Sequence, residues 1–100
     1  MTEGTKIAKS EISAGSCKTI TVGEREIVVY NVDGEFFATS NICVHQGGPL
    51  GDGLLDGATI VCPWHAWPFD VRTGESLFDP GRKLDCFRVT VEGDDVVIEV

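Results

Sequence analysis

The sequence predicts an all-β domain built from antiparallel sheets. Short segments rich in β-branched and aromatic residues alternate with glycine-containing turns, and the chain has 12 glycines, a pattern typical of strands joined by tight turns. No segment combines the length and the 3.6-residue apolar period of an α-helix. A chain of 100 residues has room for one modest hydrophobic core, so we expect a single domain over residues 1–100.

The first half of the chain predicts a meander of three strands. Residues 19–22 and 27–32 are rich in valine, isoleucine and threonine, and the turn at 23–24 between them indicates a hairpin. A second tight turn at 33–34, with the sequence Asp-Gly, leads into a third strand over residues 35–39. These strands alternate in direction, as a meander requires.

The second half predicts three more strands. Residues 59–61 form a short strand that ends immediately before Cys62. Residues 84–91 and 96–100 form two longer strands, joined by a polar turn at 92–95 that reverses the chain. We expect the N- and C-terminal strands to pack together as a scaffold.

The N-terminal residues bear on the protein's location, and the overall charge bears on its partners. Residues 10–13 allow no more than a single helical turn. Residues 1–4 lack a basic segment leading into an apolar one, and no run approaches the roughly twenty apolar residues needed to cross a bilayer. We therefore expect a soluble, cytoplasmic protein. A net charge of −8, from 16 acidic and 8 basic residues, argues against nucleic acid and anionic membranes as partners.

Two short motifs place both histidines of the chain beside two of its four cysteines. The first is Cys43-Val44-His45, and sixteen residues separate it from the second, Cys62-Pro63-Trp64-His65. Thiolate and neutral imidazole bind borderline and soft metal ions well, and one loop can supply both. Two such pairs predict two loops that hold one metal centre.

Other interpretations of the two pairs stay open. A closed tetrahedral zinc site uses the same ligand types, although zinc ligands more often come as Cys-x-x-Cys and His-x-x-x-His pairs. A catalytic Cys-His couple is possible but would leave the other couple without a role. Buried cysteines beside unrelated surface histidines would make the double pairing an accident.

The two pairs and their surroundings resemble the Rieske family, whose signature is Cys-x-His followed, after a stretch of fifteen to seventeen residues, by Cys-x-x-His. The likeness extends to segments 47–50, 53–57 and 69–75, about the middle third of the chain. The resemblance implies antiparallel sheets with a cluster-binding subdomain of two loops at one end, and one [2Fe-2S] cluster per chain. It assigns Cys43 and Cys62 to one iron, and His45 and His65 to the other.

Departures from the respiratory-chain members of the family bear on stability and redox potential. The resemblance places Gly48 and Trp64 where those members carry a disulfide between the loops, so packing must hold the loops instead. We expect Trp64, Pro68 and Phe69 to cover the cluster. Trp67 and Phe69 replace a serine and a tyrosine whose hydroxyls bond the cluster's sulfurs, which predicts a potential near the bottom of the roughly −150 to +300 mV Rieske range.

The resemblance implies a ferredoxin that carries single electrons. All four iron positions are taken by protein ligands, so we expect no catalytic residue and no enzyme activity. The expected partners are a flavin-containing ferredoxin reductase and a terminal oxygenase such as a ring-hydroxylating dioxygenase, bound transiently by a monomer. The alternatives are a Rieske-like small subunit of a multi-subunit oxidoreductase, of the nitrite reductase type, and a structural zinc-binding domain.

Two cysteines lie outside the paired motifs. Cys17 and Cys86 both fall within predicted strands, and their separation in sequence matches no metal-site spacing. We expect them to be small apolar core residues in a reducing compartment.

Overall fold

The protein folds into two antiparallel sheets. The computed structural model describes residues 4–22, 25–41, 51, 53–63, 67–77 and 83–99. Within these ranges a 3-10 helix at Lys9–Glu11 follows the first strand. The strands are β1 (Gly4–Ala8), β2 (Cys17–Val22), β3 (Arg25–Val32), β4 (Glu35–Ser40), β5 (Leu54–Asp56), β6 (Thr59–Val61), β7 (Pro68–Asp70), β8 (Cys86–Glu92) and β9 (Asp95–Glu99).

The larger sheet has six strands in the order β1-β9-β8-β4-β3-β2, and the smaller has three in the order β5-β6-β7. Every strand pair is antiparallel. The N-terminal strand pairs with the C-terminal one, with Thr5 opposite Ile98. Strand β4 of the predicted meander also pairs with β8, with Thr39 opposite Cys86, so the all-β fold class and the packing of the N-terminal strands against the C-terminal ones are confirmed.

Strand β3 is buried on both faces, which explains its unbroken apolar run. Ile27 and Val29 enter one core cluster, which also contains residues of β1, β4 and β9. Val28 and Tyr30 point the opposite way and enter a second cluster with residues of the small sheet. Because side chains alternate along a strand, one run of four buried apolar residues supplies two cores.

The second core cluster joins the two sheets and fixes the small sheet in place. Ile60 of β6 and Phe69 of β7 are fully buried in it against Val28 and Tyr30 of β3. Ile60 and Phe69 lie directly opposite one another in the register, so they share the inward face of the small sheet. The small sheet therefore has one buried and one outward face.

The predicted turn between β3 and β4 is confirmed. Asp33 and Gly34 both have positive φ, at 51° and 91°, which matches the primed turns that suit the twist of a hairpin. The buried amide of Asn31 supports it, since its Oδ1 accepts a hydrogen bond of 2.8 Å from the Gly34 N–H. The turn predicted at 23–24 lies outside the described residues.

Several elements differ from those predicted. Strands β1, β5 and β7 are not among the predicted segments, and β8 begins at Cys86 rather than at residue 84. The single helical turn that the sequence allows at 10–13 forms one residue earlier, at Lys9–Glu11. Of the parts of the chain that the structure describes, none contains a helix long and apolar enough to span a membrane.

Candidate functional site

The second cysteine-histidine pair lies between two strands of the small sheet. Strand β6 ends at Val61 and leads straight into Cys62, as the sequence predicts. The Cys62 N–H donates a hydrogen bond of 2.9 Å to the carbonyl oxygen of Trp67, the residue before β7. This bond joins Cys62 directly to Trp67, two described residues that lie on either side of residues 64–66 in the sequence. His65 itself lies outside the described residues.

Cys62 is fully buried, and its side chain belongs to the core cluster that joins the two sheets. Tyr30, Phe69 and Leu84 are in the same cluster. An isolated thiolate is costly in such apolar surroundings, and a metal ion compensates its charge. The location of Cys62 therefore fits a ligand that is held rigidly on its inner side.

The first cysteine-histidine pair, Cys43 and His45, lies outside the described residues. The two ends of its segment are described, and they meet. Asn41, which follows β4, accepts a hydrogen bond of 2.7 Å through its Oδ1 from the Gly51 N–H. The described residues on either side of this segment, Asn41 and Gly51, therefore lie beside one another.

Cys17 lies between the end of the first ligand-bearing segment and the core cluster that contains Cys62. Its thiol donates a hydrogen bond of 3.7 Å to the carbonyl oxygen of Gly51, where the first segment ends. Its side chain also packs against the core cluster that contains Cys62. Sequence reasoning gave Cys17 no role because nothing in its spacing relates it to either pair. The one feature of the sequence that could have pointed to this contact is the glycine at position 51.

The donor set fits the expected cofactor. Two cysteines and two histidines supply two thiolates and two neutral imidazoles, the set that a Rieske [2Fe-2S] cluster takes. Of these four residues the structure describes only Cys62, so the pairing of individual ligands with individual irons stays a prediction.

The structure describes three of the aromatic and proline residues that the resemblance singles out beside the ligands, and also Cys86. Phe69 is fully buried in the core, and Pro68 is half-buried at the start of β7. Trp67 packs against the same core cluster, and Trp64 lies outside the described residues. The expectation of a core position is wrong for Cys86, because it opens β8 at an exposed position.

A model of a known family matches nearly the whole chain. The model is described as Rieske [2Fe-2S] domain and matches residues 5–98. The chain belongs to the Rieske [2Fe-2S] family. The expected [2Fe-2S] cofactor is thereby confirmed, and the zinc alternative loses its support. The match includes all four predicted ligands, the small sheet and all but one residue of each of β1 and β9.

Similar proteins narrow the type of Rieske domain. The ferredoxin component of the naphthalene 1,2-dioxygenase system of Pseudomonas aeruginosa is 38% identical over 95 residues, spanning 94% of this chain and 91% of that protein. A solved structure described as a complex of reduced oxygenase and oxidized ferredoxin in carbazole 1,9a-dioxygenase matches with a TM-score of 0.87 and 34% identity, over 94% of this chain and 99% of that one.

A further solved structure bears on the small-subunit alternative. The putative NADH-dependent nitrite reductase small subunit from Mycobacterium tuberculosis matches this Rieske domain with a TM-score of 0.89 over 100% of this chain and 96% of that one. Its sequence identity is only 16%, so the likeness shows a shared fold alone. The more similar sequences are ferredoxin components.

Proposed function

We propose that this chain is a Rieske ferredoxin, a single-domain electron carrier over residues 1–100. In this proposal Cys43 and Cys62 bind one iron of the cluster, and His45 and His65 bind the other. When bound, the cluster accepts and releases one electron at a time. The observation that carries the proposal is the family match over residues 5–98, together with two complete cysteine-histidine pairs.

The protein's own residues hold the ligands and exclude water. The buried side of Cys62 lies against apolar side chains, and a hydrogen bond joins Cys62 to Trp67. With all four ligands supplied by the chain, there is no open metal position for a substrate. The protein is therefore a component of an oxidoreductase system, without a reaction of its own.

We also propose that the protein is located in the cytoplasm. Fractionation of the native cells tests this location.

The proposed partners are a flavin-containing reductase that supplies the electron and a terminal oxygenase that receives it. The descriptions of the similar proteins support this assignment, since they name dioxygenase systems and an oxygenase complex. A net charge of −8 supports contacts with basic protein surfaces. Such redox contacts are small and short-lived, so we expect the free protein to be a monomer.

The outward face of the small sheet offers a surface for the oxygenase. The register places Leu54, Val61 and Pro68 side by side, and the Leu77 N–H donates to the Pro68 carbonyl oxygen at 2.9 Å. These four residues form an apolar row about 14 Å long, given the spacing of neighbouring strands. Leu54 is 71% exposed and Leu77 is 58% exposed. The row borders Cys62, so an oxygenase seated on it lies beside the second ligand-bearing segment.

An acidic row lies next to the apolar one on the same face. Asp56 and Asp70 flank Thr59 in the register, and the Asp70 N–H donates to the Glu75 carbonyl oxygen at 2.9 Å. Arg72 bonds the Asp70 carboxylate, which lowers the pKa of Asp70 but also offsets its charge, so the negative charge of this row comes from Asp56 and Glu75. The matching oxygenase surface therefore has an apolar centre with basic side chains along one side.

The test of the proposed function is spectroscopic. Purified protein should be coloured, and its reduced form should give a Rieske-type EPR signal at low temperature. A colourless protein that contains zinc would contradict the proposal. The reduced protein should then pass its electron to an oxygenase. Reoxidation of the ferredoxin is followed as the loss of the EPR signal of its reduced form.

A further inference from the structure

Asn41 stands at the start of the first ligand-bearing segment and is bonded through both ends of its side chain. It is 5% exposed. Its Oδ1 accepts from the Gly51 N–H at 2.7 Å, and its Nδ2 donates to Glu26 Oε1 at 2.8 Å. Its own N–H donates to the Glu26 carbonyl oxygen at 2.9 Å. The partners fix the orientation of the amide, because an N–H only donates and a carboxylate only accepts.

Gly51, at the end of the same segment, is enclosed from the opposite side. Its carbonyl oxygen accepts from the Cys17 thiol at 3.7 Å. A Cβ at this position would overlap the Thr19 hydroxyl and would lie 3.1 Å from Asn41 Oδ1. Both polar backbone groups of Gly51 are therefore bonded, and a side chain at this position would force Thr19 of β2 to change its rotamer.

These contacts hold Asn41 and Gly51, the residues on either side of 42–50, against the large sheet. The segment begins beside Asn41 and ends at Gly51, and both residues are tied to strands of the large sheet: to β3 through Glu26 and to β2 through Cys17. We propose that Asn41 is a positioning residue for the cluster, because its amide holds together the two ends of the segment that carries Cys43 and His45. This inference rests on the proposed ligand set.

The consequence is a specific effect on cluster retention. Without the amide, the ends of the segment lose their direct connection, and Cys43 and His45 are free to separate from the metal more often. Groups that orient metal ligands typically contribute about 10- to 100-fold in metal affinity. We therefore expect Asn41→Ala to lose its cluster about tenfold faster than the parent.

The chain contains a matched control. Asn31 is also buried, at 7% exposure, and also uses both ends of its amide. Its Oδ1 accepts from the Gly34 N–H at 2.8 Å, and its Nδ2 donates to the Ile12 carbonyl oxygen at 2.8 Å. It braces the β3–β4 turn, which carries no proposed ligand. Asn31→Ala therefore removes equivalent bonds without touching either ligand-bearing segment.

The experiment compares cluster-loaded parent, Asn41→Ala and Asn31→Ala. Loss of visible absorbance is followed after addition of an iron chelator, at a temperature where circular dichroism shows all three proteins folded. The midpoint potential is measured in parallel. We expect Asn41→Ala to lose absorbance about tenfold faster and to shift in potential, whereas Asn31→Ala matches the parent in both. The inference would be overturned if Asn41→Ala lost its cluster at the same rate as the parent. It would also be overturned if Asn41→Ala and Asn31→Ala lost their clusters at the same rate.

A second pair of variants decides the matter if Asn41→Ala does not fold. Asn41→Asp keeps the acceptor for Gly51 but sets a carboxylate against Glu26, and adding Glu26→Gln exchanges the amide and the carboxylate between the two positions. The single variant should lose the cluster faster than the parent, and the double variant should return to within about twofold of it. A double variant as fast as the single one overturns the inference. A parent that binds no cluster would instead overturn the ligand assignment itself.

Discussion

The hydroxyl of Tyr30 lies 2.9 Å from the hydroxyl of Thr39, and both side chains are buried where β3 pairs with β4. The Thr39 hydroxyl donates to the Ser40 carbonyl oxygen at 3.0 Å, so Tyr30 is the donor to Thr39. Burial raises the pKa of Tyr30 far above its ordinary value of 10.0. The phenol therefore stays protonated in the folded protein at pH values where an exposed tyrosine ionises.

This shift predicts a loss of stability at alkaline pH. The folded pKa of Tyr30 is raised, so its contribution is fully present below pH 10 and is lost as the pH rises above that value. The slope attributable to Tyr30 is about 1.4 kcal/mol per pH unit. Urea unfolding of the parent at several pH values between 8 and 12, followed by circular dichroism, measures it.

Tyr30→Phe provides the comparison, because other ionising groups are common to both proteins. At pH 8 the variant should be less stable by about 0.5–1.5 kcal/mol, since it lacks the bond to Thr39. Above pH 10 the two stabilities should converge, because the variant has no phenol to ionise. Parallel curves for the two proteins over the whole range would show that Tyr30 does not govern the alkaline loss.

Gly74 predicts a large cost for a small substitution. Its φ is +81°, and a Cβ there would lie 2.6 Å from the Leu84 carbonyl oxygen and 2.8 Å from Cys86 Sγ. Its own carbonyl accepts from the Leu84 N–H at 2.7 Å, so the backbone approach is close. Gly57 also has positive φ, at +61°, but a Cβ there meets nothing within 4 Å.

We therefore expect Gly74→Ala to destabilise the fold by about 1–3 kcal/mol more than Gly57→Ala. Both variants carry the strain of a side chain at positive φ, which costs about 1–2 kcal/mol, so the difference between them isolates the steric contact. Urea midpoints of the two variants measure it. Similar midpoints would mean that the segment around Leu84 yields without cost.

The sequence predicts the long strands and the site's residue types better than it predicts the small sheet. Strand β3 was recognisable because its apolar run serves two cores. Strands β5 and β7 have three residues each, too few to show a period, and β7 begins with a proline. They form because Leu55 and Phe69 find apolar partners across the interface with β3, which only the folded chain provides.

The sequence likewise predicts the ligand residues of the site but not the contacts that support them. Cysteine and histidine in paired motifs indicate a metal centre by chemistry alone, so Cys62 could be chosen from its neighbours in sequence. The contacts of Asn41 and Gly51 with β2 and β3 depend on tertiary structure. The sequence does not show which partners the amides of Asn41 and Asn31 take, and the two amides brace different parts of the fold.

Replacing single cysteines tests the ligand assignment. Cys62→Ser removes a proposed thiolate, so the purified variant should lose the Rieske-type EPR signal. Cys86→Ser is the control: Cys86 is exposed at the start of β8, and its replacement should leave the signal and the midpoint potential unchanged. A parent-like signal from Cys62→Ser would remove Cys62 from the ligand set.

Replacing His65 tests the other half of the ligand set. His65→Ala removes one of the two imidazoles that distinguish a Rieske centre from an all-cysteine cluster. Its EPR signal and midpoint potential should therefore no longer be those of the parent, while circular dichroism still shows strand structure. If both redox properties persist, the histidine assignment is wrong.

The apolar row on the small sheet predicts where substitutions weaken electron delivery to the oxygenase. Leu54→Ser and Leu77→Ser should each raise the ferredoxin concentration needed for half-maximal oxygenase reduction, because apolar anchors dominate small interfaces. We expect about a fivefold increase for each, equivalent to about 1 kcal/mol. The midpoint potential should stay at the parent value, since neither side chain is a proposed ligand.

Val91→Ser is the matched control for these two variants. Val91 is also an exposed apolar residue, at 45%, but it lies in β8 beside the turn at 93–94, on the large sheet. Added salt should weaken reduction by the parent and by all three variants alike, because the flanking acidic residues act through screened charge. If Val91→Ser weakens reduction as much as Leu54→Ser does, the effect is a general one of surface polarity, and the oxygenase contacts the protein elsewhere.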